Sequence, residues 1–170
     1  MRVERRAFLA GAGVVGAALC LPQSSEAYGK SAKALEEAAP VIAAVQQHMF
    51  PKGSKLPDAE TMCMTRFLTE TVSHPTYDRD IHAFVIEGAK ELMLREKGKL
   101  LGYNHGAMEA ALRRYEATDY GSNWLSRIMI LSLEALLGDP VYGSNVGEAG
   151  WRTVQSFGGQ PRPKTRYIQL

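Results

Sequence analysis

The stretch from Trp124 to Leu137 constrains the fold more than any other part of the chain. Trp124, Leu125, Ile128, Met129, Leu131, Ala135, Leu136 and Leu137 recur at helical spacing but cover more than one stripe. A helix that is apolar on several sides has to be surrounded by others. The run is too short for a membrane span and carries Arg127 and Glu134, so it predicts the central helix of a bundle.

The flanking sequence predicts the partners. Ser31 to Phe50 reads as a helix broken or restarted at Pro40, with Val41, Ile42, Val45, His48 and Met49 on one face. Asp58 is placed to cap a second helix running to Val72, burying Met62, Phe67, Leu68 and Val72. A third is expected from Asp78 or Asp80 to Lys97, with Ile81, Phe84, Val85, Gly88 and Leu92 facing inward and Gly98 past its end. Asn104 can cap a fourth, Gly106 to about Tyr115. No period-2 strand, internal repeat or low-complexity segment interrupts this pattern. The expected fold is all-α: a single small helical domain over residues 28–140 with an irregular C-terminal tail over 141–170.

That tail holds six glycines and three prolines between Gly138 and Leu170 and lacks helical periodicity. Yet aromatics recur at Tyr142, Trp151, Phe157 and Tyr167. A solvated tail is normally poor in rings, so these need a surface, either this domain or another protein.

The first 27 residues read as a signal peptide. Arg2, Arg5 and Arg6 form a basic start, and Phe8 to Leu21 is an uncharged run of 14 residues. Pro22 follows, and Ser25-Glu26-Ala27 puts small residues at the two cleavage-defining positions. Glu4-Arg5-Arg6-Ala7-Phe8-Leu9 fits the twin-arginine pattern, whose signal residues here are Arg5, Arg6, Phe8 and Leu9, with Glu4 where Ser or Thr is commoner. That route carries folded proteins to the periplasm; the alternative is an uncleaved anchor. Gly11-Ala12-Gly13-Val14-Val15-Gly16 also matches the dinucleotide-binding GxGxxG. The residues before it, Met1 to Arg6, are too charged for the buried strand such a turn requires, and the match is set aside.

Without the leader, 143 residues remain, enough for one cored domain. They carry 17 basic and 16 acidic residues, and no basic stripe points to a nucleic-acid partner. Leu19 before Cys20 rules out a lipoprotein box, and Cys63 is the one thiol left, read as a buried apolar residue or a bond to a partner chain.

The chemistry of a catalytic or cofactor site is not legible. CxxC, CxxCH, HExxH and GxSxG are all missing, so thiolate or histidine sets for zinc, c-type haem or an iron–sulfur cluster are not offered. His48, His74, His82 and His105 are scattered, and Glu109, Glu116 and Asp119 form pairs of the sort that solvated helix faces produce.

Leu136-Leu137-Gly138-Asp139-Pro140-Val141-Tyr142-Gly143-Ser144-Asn145, followed by Gly150-Trp151, resembles the gluconate 2-dehydrogenase subunit 3 family. Members typically end in a helix, an Asp-Pro-x-Tyr-Gly-Gly-Asn turn and then Gly-Trp; Ser144 stands where the second glycine is common, and the likeness covers about fifteen residues. The resemblance implies a small, non-catalytic subunit of a membrane-associated flavin-dependent dehydrogenase of sugars, polyols or sugar acids. FAD would reside in the large subunit and haem in a multihaem cytochrome partner. The small subunit would bring the twin-arginine signal and escort the folded flavoprotein through the translocase. Tyr142, Asn145, Trp151 and Phe157 are then the expected partner-binding residues. Two readings stand beside it: a standalone periplasmic helical ligand-binding protein, and a small independent periplasmic enzyme.

Overall fold

The computed structural model describes residues 25–166. The export-signal residues Arg5, Arg6, Phe8 and Leu9, the GxGxxG match and Tyr167 lie outside them. The chain divides into two units between Lys33 and Ala34. Of the first, the described residues are the opening turns of helix α1, which spans Ser25–Met49; everything below concerns the second.

The fold is all-α. After α1 come α2 (Met64–Val72), α3 (Arg79–Arg95), α4 (His105–Glu116), α5 (Asp119–Leu137) and the short α6 (Ala149–Thr153). Single 3-10 turns lie at Leu100–Gly102, Pro140–Tyr142 and Val146–Glu148, and the described residues contain no strand. As the apolar pattern predicts, α5 is the hub, touching α2, α3, α4 and α6. Trp124, Ile128, Leu131, Ala135 and Leu136 on it are all buried. One cluster joins Trp124, Ile128 and Leu131 to Val41, Ile42 and Val45 of α1, Leu68 and Val72 of α2, Val85, Ala89 and Leu92 of α3, and Met108, Ala111 and Tyr115 of α4. A second cluster gathers Phe50, Ala59, Met62, Met64 and Phe67 beneath Ala135 and Leu136.

Capping residues fix the helix starts. Asp78 accepts from the backbone N–H groups of Asp80 and Ile81, Asn104 from Ala107, and Thr118 from Gly121. Gly98, past α3, takes a positive φ of 75°.

The structure corrects four local expectations. First, α1 runs through Pro40 without a break. The proline is exposed, while Leu35 and Ala38 before it and Val41 and Ile42 after it are buried; packing on both sides outweighs one missing backbone bond on the wet face. Second, Asp58 does not cap α2. Its carboxylate accepts from the Thr61 backbone N–H (3.0 Å) and the Thr61 hydroxyl (2.8 Å) in a preceding turn. Cys63 then takes φ 54° and α2 starts at Met64. Third, Cys63 is half-buried rather than enclosed, beside Ala59, Thr65 and Arg66. Fourth, the segment after Pro140 is less irregular than its glycines suggest, holding two 3-10 turns and α6.

Candidate functional site

An α-helix ends with carbonyls that have no partner within the helix. At the C-terminus of α5 the Asp139–Trp151 segment supplies those partners. Gly138 N–H donates to Glu134 O (2.8 Å). Trp151 Nε1–H donates to Leu137 O (2.6 Å). Asn145 Nδ2–H donates to Gly138 O (2.9 Å), and Asn145 Oδ1 accepts from Gly150 N–H (2.8 Å). The side-chain amide of Asn145 and the indole N–H of Trp151 are thus taken up by the chain's own backbone.

The glycines of the motif act by proximity and by handedness. Gly138 is extended (φ −70°, ψ 168°) and not left-handed. It is required because a Cβ there would lie 2.6 Å from Glu134 O. Gly143 (φ 86°) and Asn145 (φ 47°) do take the positive φ that their residue types allow. Asp139 Oδ1 accepts from Val141 N–H (2.9 Å), and Pro140 opens the 3-10 turn. Ser144, at the position of the resembled family's glycine, is buried, and its hydroxyl has no hydrogen-bond partner among the described residues.

Arginines fasten the rest of the tail. Arg162 Nε pairs with Asp139 (2.8 Å) and Nη1 with Glu148 (2.6 Å), while its guanidinium lies 4.9 Å from the Trp151 ring centre. Arg66 Nη2 donates to Gly143 O (2.7 Å), and Arg166 pairs with Glu70 of α2.

The Asp139 carboxyl is held below its ordinary value, chiefly by the hydrogen bond from Arg162 and then by that from Val141 N–H. A carboxyl lowered on folding stabilises the folded form fully above its unfolded value of 3.8, and that contribution is lost as pH falls below it. The tail is therefore expected to loosen in acid before the helices melt. The Trp151 indole N–H resonance should shift as pH falls from about 5 to about 2, with the helical circular dichroism signal lagging. Asp139→Asn should remove that early step; an unchanged titration in this variant would show that Asp139 does not hold the tail.

Of the four expected partner-binding residues, two are used inside the chain. Trp151 is 5% exposed and Asn145 0%. The large hydrophobic packing of Trp151 extends to Gly158, where a Cβ would meet its ring at 2.4 Å. Tyr142 is half-buried and packs against the Phe50–Phe67 cluster. Phe157 alone is open, at 76% exposed. A flat patch uniting Tyr142, Trp151 and Phe157 is thus not formed, because the end of α5 needs the indole as a donor.

What lies open beside the motif is a surface the sequence reading missed. Ile130, Leu133 and Leu137 of α5 are 46%, 37% and 40% exposed. With Phe67 of α2, Gly138, Tyr142 and Glu134 they line a shallow apolar groove of about 530 Å³. Leu137, expected to face the core, stands on this rim. Apolar surroundings push the Glu134 carboxyl above the usual carboxylate range, with Arg127 pulling in the opposite direction.

Several titratable groups elsewhere are engaged in local pairs. His48 Nε2–H donates to Glu109 (2.6 Å), which with Glu116 also receives Arg113 (2.8 and 3.1 Å). His105 stacks near His48 at 4.6 Å between ring centres. His82 Nδ1–H donates to Val72 O (2.6 Å), and His74 pairs with Thr76. Among the described residues no three His, Cys, Asp or Glu side chains gather as a metal site, and no helix is long and apolar enough to cross a membrane. Compared with protein-family models, curated proteins and solved structures, the chain matches none of them.

Proposed function

We propose that the chain is the non-catalytic small subunit of a periplasmic flavin-dependent dehydrogenase complex. It escorts the folded FAD-containing subunit through twin-arginine export and supports its assembly. FAD and haem belong to the partners in this reading, and the chain joins the membrane only through its complex. The observation that carries it is how the residues shared with the gluconate 2-dehydrogenase small-subunit family are used. Gly138, Asp139, Asn145, Gly150 and Trp151 direct their groups into finishing α5 and locking the tail. They shape a surface at the end of α5. The twin-arginine pattern at Glu4–Leu9 supplies the reason for a carrier: a flavoprotein loaded with its cofactor crosses folded.

Replacing Arg5 and Arg6 together by Lys should leave the partner flavoprotein in the cytoplasmic fraction. Its normal appearance in the periplasm with this variant would end the escort reading. A second reading, a standalone ligand-binding protein, is favoured by the groove, whose volume falls within the ~300–1,000 Å³ of small-molecule pockets. A small apolar molecule carried through purification, seen by native mass spectrometry, would support that reading instead.

A further inference from the structure

The α5 groove is a feature that neither the core nor the tail explains. Ile130, Leu133 and Leu137 stand at i, i+3 and i+7, a stripe of two turns, about 10 Å long. Phe67 and Tyr142 are the other apolar side chains of the lining. Glu134 is the single charged residue there, and its side chain makes no hydrogen bond or ion pair among the described residues.

We infer that this groove receives an amphipathic helix of the partner protein, which lays apolar side chains along Ile130, Leu133 and Leu137 and sets a lysine or arginine against Glu134. The inference rests on the proposed escort role and names the surface that performs it.

Three physical points select this occupant. An extended segment would bring backbone N–H and C=O groups against walls that offer almost no polar partner, whereas a helix satisfies its own. The carbonyls of Leu137 and Gly138 at the end of α5 already accept from Trp151 and Asn145, which leaves such a segment little to pair with there. A fatty acid or other anionic lipid would place its charge near the Glu134 carboxylate, and a neutral hydrocarbon would bury that carboxylate with only the weaker pull of Arg127 to offset the cost. A helix with one basic residue avoids both costs, and the charge complementarity fixes its register.

The test uses the full chain co-produced with the flavoprotein it is read to escort. Wild type, Leu133→Asp, Glu134→Lys, Glu134→Gln and Leu101→Asp are compared by retention of the flavoprotein, with circular dichroism alongside. Leu101 is exposed and outside the groove, and serves as the control. Leu133→Asp and Glu134→Lys should each lower retention about tenfold or more with helical content unchanged. Glu134→Gln should bind less tightly and lose the salt dependence shown by wild type. Leu101→Asp should behave as wild type. Equal retention by wild type and the groove variants overturns the inference and leaves the escort role standing. If wild type retains no flavoprotein at all, the escort reading fails and the inference falls with it. A dimer dissolved by Leu133→Asp, or a small apolar ligand carried by wild type and lost from that variant, replaces the partner helix with a second copy or a metabolite.

Discussion

Replacing Gly88 by alanine is expected to destabilise the protein by about 3 kcal/mol, lowering its melting temperature by roughly 10 °C. At an exposed helical position the same change would stabilise by about 0.5–1 kcal/mol, because alanine is the better helix former. The sign reverses here through one contact. A Cβ on Gly88 would lie 2.0 Å from Trp124 Cδ1 and 2.3 Å from Nε1. The indole has little room to retreat. It is fully buried, its Nε1–H is bonded to Val85 O at 3.0 Å, and Tyr115 stands against it with ring centres 5.9 Å apart. Tyr115 is in turn fixed through its hydroxyl to Gly88 O (3.1 Å) and Glu91 (3.2 Å). Moving the ring would thus disturb the junction of α3, α4 and α5 together. Gly106→Ala in α4 is the internal comparison, since outside the helix's own backbone and the adjacent residues its Cβ would meet only Asn104 Oδ1, at 3.8 Å. Thermal or denaturant unfolding of both variants checks the argument. A Gly88→Ala protein as stable as wild type would mean that the α3–α5 approach is looser than described.

Gly88 also shows what kind of information sequence carries. Its place on the inner face of α3 follows from periodicity, since it falls in step with Val85 and Leu92. That it is glycine because an indole from α5 sits on it does not follow, because that contact joins Gly88 to Trp124, a residue two helices further along the chain. The helices themselves were legible because caps and periodicity agreed at Asp78 and Asn104, while in the run after Trp124 the apolar pattern alone marked the helix and its Thr118 cap went unread. Where the reading failed, a tertiary contact overrode a local rule. Pro40 sits inside α1 because packing holds both halves of the helix, and the start of α2 moved because Asp58 closes a turn of its own. The groove was illegible for a related reason. A helix apolar on several sides reads as buried on all of them, and nothing local says that α5 keeps Ile130, Leu133 and Leu137 uncovered. The motif after α5 was recognisable as a turn with rings. Its use of Trp151 as a donor to Leu137 O depends on a chain reversal that only the folded segment displays.

That reversal rests on one side chain, and Asn145→Ala is expected to weaken docking of the Asp139–Thr153 segment by about 3 kcal/mol. Asn145 is fully buried and bridges two backbone groups, donating to Gly138 O and accepting from Gly150 N–H. Truncation leaves one buried acceptor and one buried donor unmatched, each worth about 1–3 kcal/mol. Alanine further disfavours the left-handed backbone (φ 47°, ψ 50°) that asparagine tolerates. No other group can move in, because a Cβ at Gly150 would already lie 1.9 Å from Leu136 O, so the two backbones meet without space between them. The loss should stay local. The larger cluster around α5 contains no residue of α6, and of α6 only Ala149 packs against the smaller one, so the helical signal should fall little. The Trp151 indole N–H, now bonded to Leu137 O, should instead exchange rapidly with solvent. Asn145→Asp separates the two bonds: it keeps the acceptor for Gly150 N–H but turns a carboxylate towards the Gly138 carbonyl, and should be about as damaging as alanine at neutral pH and milder in acid, where a protonated carboxyl can donate again. Protected Trp151 exchange in Asn145→Ala would show that the indole and Arg162 hold the segment without the asparagine, and the motif would then owe its form to the rings and not to this bridge.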